Sequence, residues 1–92
     1  MSANPRGLAV ELCAGLGGIG LGLRELGFQV ARAYDSWSDA VDIYNHNLPG
    51  QVAVECNLLS ESGRRLVAGD HRLLGDPDIV AAGPPCKGFS RL

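Results

Sequence analysis

Two short stretches carry the residues whose types and spacing suit them for chemistry. Gly15-Leu16-Gly17-Gly18-Ile19-Gly20 satisfies the pattern G-x-G-x-x-G. Glycines so placed allow a tight turn and close backbone approach to a ligand. A helix starting there offers unpaired N–H groups and a partial positive charge. Asp35 lies 20 positions after Gly15, where a carboxylate can accept hydrogen bonds from ribose hydroxyls. Glu11, just before the loop, would repel a pyrophosphate but could pair with a cationic ligand. The second stretch is Gly83-Pro84-Pro85-Cys86-Lys87-Gly88-Phe89-Ser90. Its prolines fix the backbone ahead of the thiol, Gly88 lets the chain turn just after it, and Lys87 favours the thiolate. Each stretch also has a plainer reading, a glycine-rich turn and an ordinary half-buried cysteine.

The elements that must position these residues follow from the apolar pattern. Leu8 to Cys13 is a short apolar run ending in the glycine cluster, as a buried parallel strand does. Ile19, Leu23 and Leu26 fall at helical spacing, and Gly27 is placed as a stop. Phe28 to Tyr34 reads as a second strand. Ser36 and Asp39 have capping-box spacing ahead of a helix with Ala40, Ile43, Tyr44 and Asn47 on one face. Gln51 to Glu55 reads as a third strand after the Pro49-Gly50 turn. Residues 60–75 are mixed, with a helical turn or two expected over Arg64 to Ala68. Asp78 to Ala82 is a fourth strand, ended by the prolines. The alternation predicts an α/β fold with a parallel sheet, half of a Rossmann-like unit, in which the first and fourth strands are neighbours and their loops face one crevice.

Composition bounds the function. The 92 residues make room for one small domain, and 46% hydrophobic with 20% charged residues is a globular balance. The formal net charge of −2 does not by itself point to nucleic acid. Three cysteines, with no CxxC pair and no Cys/His ligand spacing, argue against a disulfide framework or a metal site and for reduced thiols in the cytoplasm. No signal peptide and no membrane span is expected, since no apolar run approaches about 20 residues.

Taken together, these residues resemble the DNA (cytosine-5) methyltransferase family. Glu11-Leu12-Cys13-Ala14-Gly15-Leu16-Gly17-Gly18 resembles its S-adenosylmethionine (SAM) loop. Tyr34-Asp35 with Tyr44 and Asn47 resembles its second signature, and Gly83 to Ser90 its nucleophile loop. The resemblance spans about residues 8–91 and makes residues 1–92 the N-terminal part of a SAM-dependent catalytic domain. It implies that Cys86 is the catalytic nucleophile. The target cytosine is flipped out of double-stranded DNA, Cys86 attacks carbon 6 as thiolate, the methyl group goes from SAM to carbon 5, and a base removes the carbon 5 proton before Cys86 leaves. Glu11, Cys13, Gly15, Leu16, Gly17, Gly18, Asp35, Ser36, Asn57, Leu58 and Pro85 are the cofactor residues it implies, with Lys87 and Ser90 toward DNA.

The chain departs from the family at several points. The family usually has an aromatic residue at Cys13, an Asp at the step matched by Cys56-Asn57-Leu58, and Gln at Lys87. Asn57 still offers an acceptor oxygen. The Glu-Asn-Val and Gln-x-Arg-x-Arg steps, the target recognition region and the last helix are not in this sequence. The chain is therefore expected to be inactive alone, as a fragment or as one subunit completed by a second chain. A restriction-modification role is the family's suggestion. Two other readings stay open: a non-catalytic relict or interaction module, and an NAD-type dinucleotide-binding segment.

Overall fold

The computed structural model describes residues 6–83. Four strands, β1 (Gly7–Leu12), β2 (Phe28–Asp35), β3 (Ala53–Glu55) and β4 (Ile79–Ala82), alternate with three helices, α1 (Gly18–Glu25), α2 (Ser38–Asn47) and α3 (Glu61–Leu74). All strand pairs are parallel, in the order β3-β2-β1-β4. The expected α/β architecture is therefore present, with β1 and β4 side by side. Two successive crossovers run one way from β1 and the third runs back past it. Right-handed connections then put α1 and α2 on one face of the sheet and α3 on the other.

One irregularity sets the faces. Ala9 pairs with Val30 but Val10 with Arg32, so Ala31 is an extra residue, a bulge in β2. Before the bulge, Val30 joins Ala9 and Leu23 in a core cluster under α1. After it, Ala33 joins Ala14, Val41, Tyr44, Leu48 and Ala53 under α2. Arg32 and Tyr34 are thereby turned to the α3 face. There the Tyr34 hydroxyl donates to Asp70 Oδ2 at 2.7 Å and Arg32 Nε lies 3.2 Å from the same oxygen.

The helices differ from their sequence-based outlines. On α1, Ile19 and Leu26 are exposed, and Gly20 and Leu23 are the buried residues. The α2 face toward the sheet is Ala40, Val41 and Tyr44, continued by Leu48 just past the helix, while Ile43 and Asn47 face out. The expected Ser36/Asp39 capping box does not form: Trp37 is the N-cap residue, with no side-chain cap. The segment expected to hold only a turn or two is the longest helix, with 14 residues. Ser60 Oγ caps it by accepting from the Gly63 amide at 2.9 Å, and Gly75 ends it at φ 86°. β3 has only 3 residues rather than the five of 51–55.

The two borders of the sheet are unlike. Along β3, the Asn45 side chain accepts from the Ala53 amide at 2.9 Å and donates to the Ala53 carbonyl at 3.0 Å. Along β4, Val80 is 54% exposed, and an apolar groove lined by Val10, Leu12, Val67, Leu74, Pro77 and Val80 lies open beside α3.

Candidate functional site

The C-terminal ends of the parallel strands share one edge of the sheet, and the loop from β1 to α1 lies there. The Ala14 amide donates to the Tyr34 carbonyl at 2.9 Å, so the chain leaves β1 still tied to β2. Cys13 takes φ 54°, a left-handed conformation that costs a non-glycine residue about 1–2 kcal/mol. Gly17 follows at φ 109° as the residue before α1. A methyl group built on Gly17 would stand 2.9 Å from Leu48 Cδ1, so the loop lies directly on the end of α2. Among the described residues nothing lies within 4 Å of a methyl group built on Gly15 or Gly18, so they leave that side of the loop open. No side chain caps the α1 N-terminus from the N-cap position, and its first turn holds no acidic residue. That leaves backbone donors of the kind that bind polar ligands.

Asp35 ends β2 beside this loop. Its Oδ2 accepts from the Gly15 amide at 2.9 Å and its Oδ1 from the Trp37 amide at 2.9 Å. Among the described residues each oxygen keeps a free lone pair. Ser36 then lines an open cleft of about 320 Å³ with Glu55, Cys56, Asn57, Ser60 and Gly63. The cleft exists because the chain turns sharply after β3. Asn57 Oδ1 accepts from the Leu59 amide at 3.0 Å and the Asn57 carbonyl accepts from Ser60 Oγ at 2.8 Å. A methyl group on Gly63 would come within 1.9 Å of that carbonyl oxygen.

The sequence-based site residues divide accordingly. Gly15, Leu16, Gly17, Gly18 and Asp35 come together at one loop, with Cys13 at its start. Ser36 and Asn57 share the adjoining cleft, and Leu58 is half-buried beside it. The Asn57 side-chain oxygen already holds one backbone hydrogen bond. Glu11 is placed otherwise than expected. At 1% exposure it lies behind the loop, where its Oε2 accepts from the Tyr44 hydroxyl. Burial pushes its carboxyl above the usual carboxylate range, opposed by that hydrogen bond, by the Arg24 guanidinium and by the Gly20 amide. The charged pairing with a ligand expected of Glu11 does not suit this geometry, because its carboxyl faces the core. Pro85, Cys86, Lys87 and Ser90 lie outside the described residues. β4 delivers the chain toward them beside the glycine loop: Ala82 pairs with Leu12, and the Gly83 amide donates to the Leu12 carbonyl at 3.2 Å.

Two features had no sequence signal beyond residue type, the Glu11–Tyr44 pair and the tie from Asp35 to Gly15. Of the other cysteines, Cys56 is buried with Sγ 3.5 Å from the Gly63 carbonyl, and burial raises its thiol pKa, which suits packing rather than attack. Among the described residues no group of His, Cys, Asp and Glu is arranged to hold a metal, and no helix is long and apolar enough to cross a membrane.

Comparison with known proteins adds the following. Residues 8–92 match the family model described as C-5 cytosine-specific DNA methylase. The chain is 31% identical over 81 residues to the type II methyltransferase M.HindV of Haemophilus influenzae, covering 88% of this chain and 25% of that protein. It is 30% identical over 81 residues to the type II methyltransferase M.HgiGI of Herpetosiphon aurantiacus, covering 88% and 60%. It is 29% identical over 94 residues to DNA (cytosine-5)-methyltransferase 1 of Gallus gallus, covering 94% and 6%. The chain thus spans about a quarter of the first of these relatives. No solved structure matches it.

Proposed function

Because the chain belongs to the C-5 cytosine-specific DNA methylase family, we propose that it is the segment of a DNA (cytosine-5) methyltransferase that seats S-adenosylmethionine and supplies the nucleophile. The observation that carries this reading is the adjacency of β1 and β4. The glycine loop leaves one strand and the Pro-Pro-Cys stretch follows the other, with Leu12 and Ala82 paired at the point of exit. In parallel α/β sheets that crevice is where ligands bind.

The residues fit the cofactor. Gly15 and Gly18 leave open space over the loop, Asp35 has lone pairs free for ribose hydroxyls, and Ser36 and Asn57 line a cleft next to it. S-adenosylmethionine, when bound, supplies an activated methyl group for carbon 5 of cytosine. The loop amides and Asp35 hold and orient the ligand. Cys86, as thiolate, adds to carbon 6 of a cytosine extruded from duplex DNA and is released at the end.

Completion by further sequence is part of the same reading. The open groove on β1, β4 and α3 is apolar, and the relatives carry more chain than this one. Further methyltransferase elements, on this same chain or on a second polypeptide, working in the cytoplasm on double-stranded DNA, account for both. The test is to purify the tagged protein from its own cells, identify what accompanies it, and assay methyl transfer from labelled S-adenosylmethionine to duplex DNA. Methylated cytosine formed by the wild-type assembly, and none by Cys86→Ser, is the expected result. Equal activity in both would end the proposal.

A further inference from the structure

Behind the glycine loop lies a polar pair that the reaction does not use directly. Tyr44 of α2 is fully buried, Glu11 of β1 is 1% exposed, and the tyrosine hydroxyl donates to the Glu11 carboxyl. Both press on the first turn of α1. A methyl group on Gly20 would stand 2.5 Å from Tyr44 Oη and 2.6 Å from Glu11 Oε2. A methyl group on Gly17 would stand 3.4 Å from Tyr44 Cδ2. The second Glu11 oxygen, Oε1, and Arg24 Nε are buried without a partner among the described residues. Arg24 itself reaches from α1 to the Pro49 carbonyl at 3.0 Å. The cluster thus joins β1, α1, α2 and the turn after α2, directly beneath the loop.

A buried carboxyl is costly, and an apolar pair of similar volume would pack here at least as well. What an apolar pair lacks is direction. A hydrogen bond fixes the distance and angle between its partners, whereas apolar contacts allow sliding. On the reading that the loop seats S-adenosylmethionine, we propose that Tyr44 and Glu11 are positioning residues for that cofactor. They act through Gly17 and Gly20 to hold the start of α1, and with it the Gly15–Gly18 backbone, at a set height above the sheet. Glu11 then matters as a hydrogen-bond acceptor facing inward, not as a charge facing the ligand.

The test uses the assembled methyltransferase containing this chain, with four variants: Y44F, E11Q, E11A and the apolar double variant E11L/Y44F. The readouts are thermal midpoint, kcat, and KM separately for S-adenosylmethionine and for duplex DNA. Y44F should raise the cofactor KM about tenfold, the effect of losing one well-placed buried hydrogen bond. The KM for DNA and kcat at saturation should hold. E11Q, which keeps the acceptor, should stay near wild type, while E11A should follow Y44F. The double variant should recover the thermal midpoint yet keep the raised cofactor KM. Recovery of both together would show a purely structural pair and overturn the proposal. Loss in E11Q equal to that in E11A would show that the charge matters and overturn it too. Failure of the wild-type protein to bind S-adenosylmethionine would instead strike the cofactor reading itself.

Discussion

Asp35 Oδ2 accepts the Gly15 amide at 2.9 Å, so the carboxylate at the end of β2 holds the middle of the β1–α1 loop. The same side chain shapes the entry to α2 through the Trp37 amide. A residue expected to meet a ligand is therefore also part of the scaffold that shapes the glycine loop. Replacing it tests both roles. Asp35→Ala should cost about 1–3 kcal/mol of stability, since two amides lose a charged acceptor. It should also weaken S-adenosylmethionine binding by about tenfold or more. Denaturant midpoints and an isothermal titration check the two effects. Asp35→Asn, which keeps one acceptor oxygen, should fall between Asp35→Ala and wild type in both.

The glycines of α1 should respond in opposite directions. Gly22→Ala meets nothing within 4 Å and should stabilise the helix by about 0.5–1 kcal/mol. Gly20→Ala adds the same methyl group against Tyr44 and Glu11 at 2.5 and 2.6 Å, so it should destabilise by about 1–3 kcal/mol despite the same gain in propensity. Thermal melts of the two single variants side by side give the comparison.

Alkaline titration should expose the two buried tyrosines. Burial, then hydrogen bonding to Asp70 for Tyr34 and to Glu11 for Tyr44, raises both pKa values well above the ordinary 10.0. The stability these groups contribute is full below that ordinary value and is lost as pH rises toward the folded values. Above about pH 10 the unfolded chain releases protons that the folded chain keeps, so stability should fall by about 1.4 kcal/mol per pH unit for each tyrosine. Phenolate absorbance should therefore appear together with the loss of circular dichroism, not before it.

Glu11 gives the corresponding prediction at lower pH. Its carboxyl is raised above the ordinary 4.5, chiefly by burial. Its contribution is thus full below 4.5 and is lost as pH rises through the folded value. Wild-type stability should decline over that window relative to Glu11→Gln, whose pH profile should be flatter. Urea midpoints of both proteins at a series of pH values check this.

The thiol prediction concerns chemistry alone. Cys86→Ser in the assembled enzyme should abolish methyl transfer, whereas Cys56→Ala should act through packing, costing about 1–2 kcal/mol with kcat retained at temperatures where it stays folded. Activity at saturating substrate, measured beside thermal midpoints, separates the two.

What could be read in the sequence was local or periodic. The glycine pattern, the four strands and Gly27 as a helix stop follow from short-range rules, and the neighbouring of β1 and β4 from the strand order usual in the fold those elements imply. The length of α3 was obscured because its buried face includes Asp70, an acidic residue whose partners, Arg32 and Tyr34, come from β2. The face of α2 was shifted because Leu48, past the helix end, packs under Gly17. Glu11 could be noticed as a carboxylate near the loop, but its inward direction depends on Tyr44, 33 residues further along. Parity along β2 was likewise hidden, since a bulge at Ala31 leaves no distinctive residue type.

The Asn45 side chain, paired to both polar groups of Ala53, blunts the β3 border of this sheet. An amide that mimics a neighbouring strand occupies the Ala53 groups that a second copy would need to add itself there, so a single asparagine works against edge-to-edge association at β3.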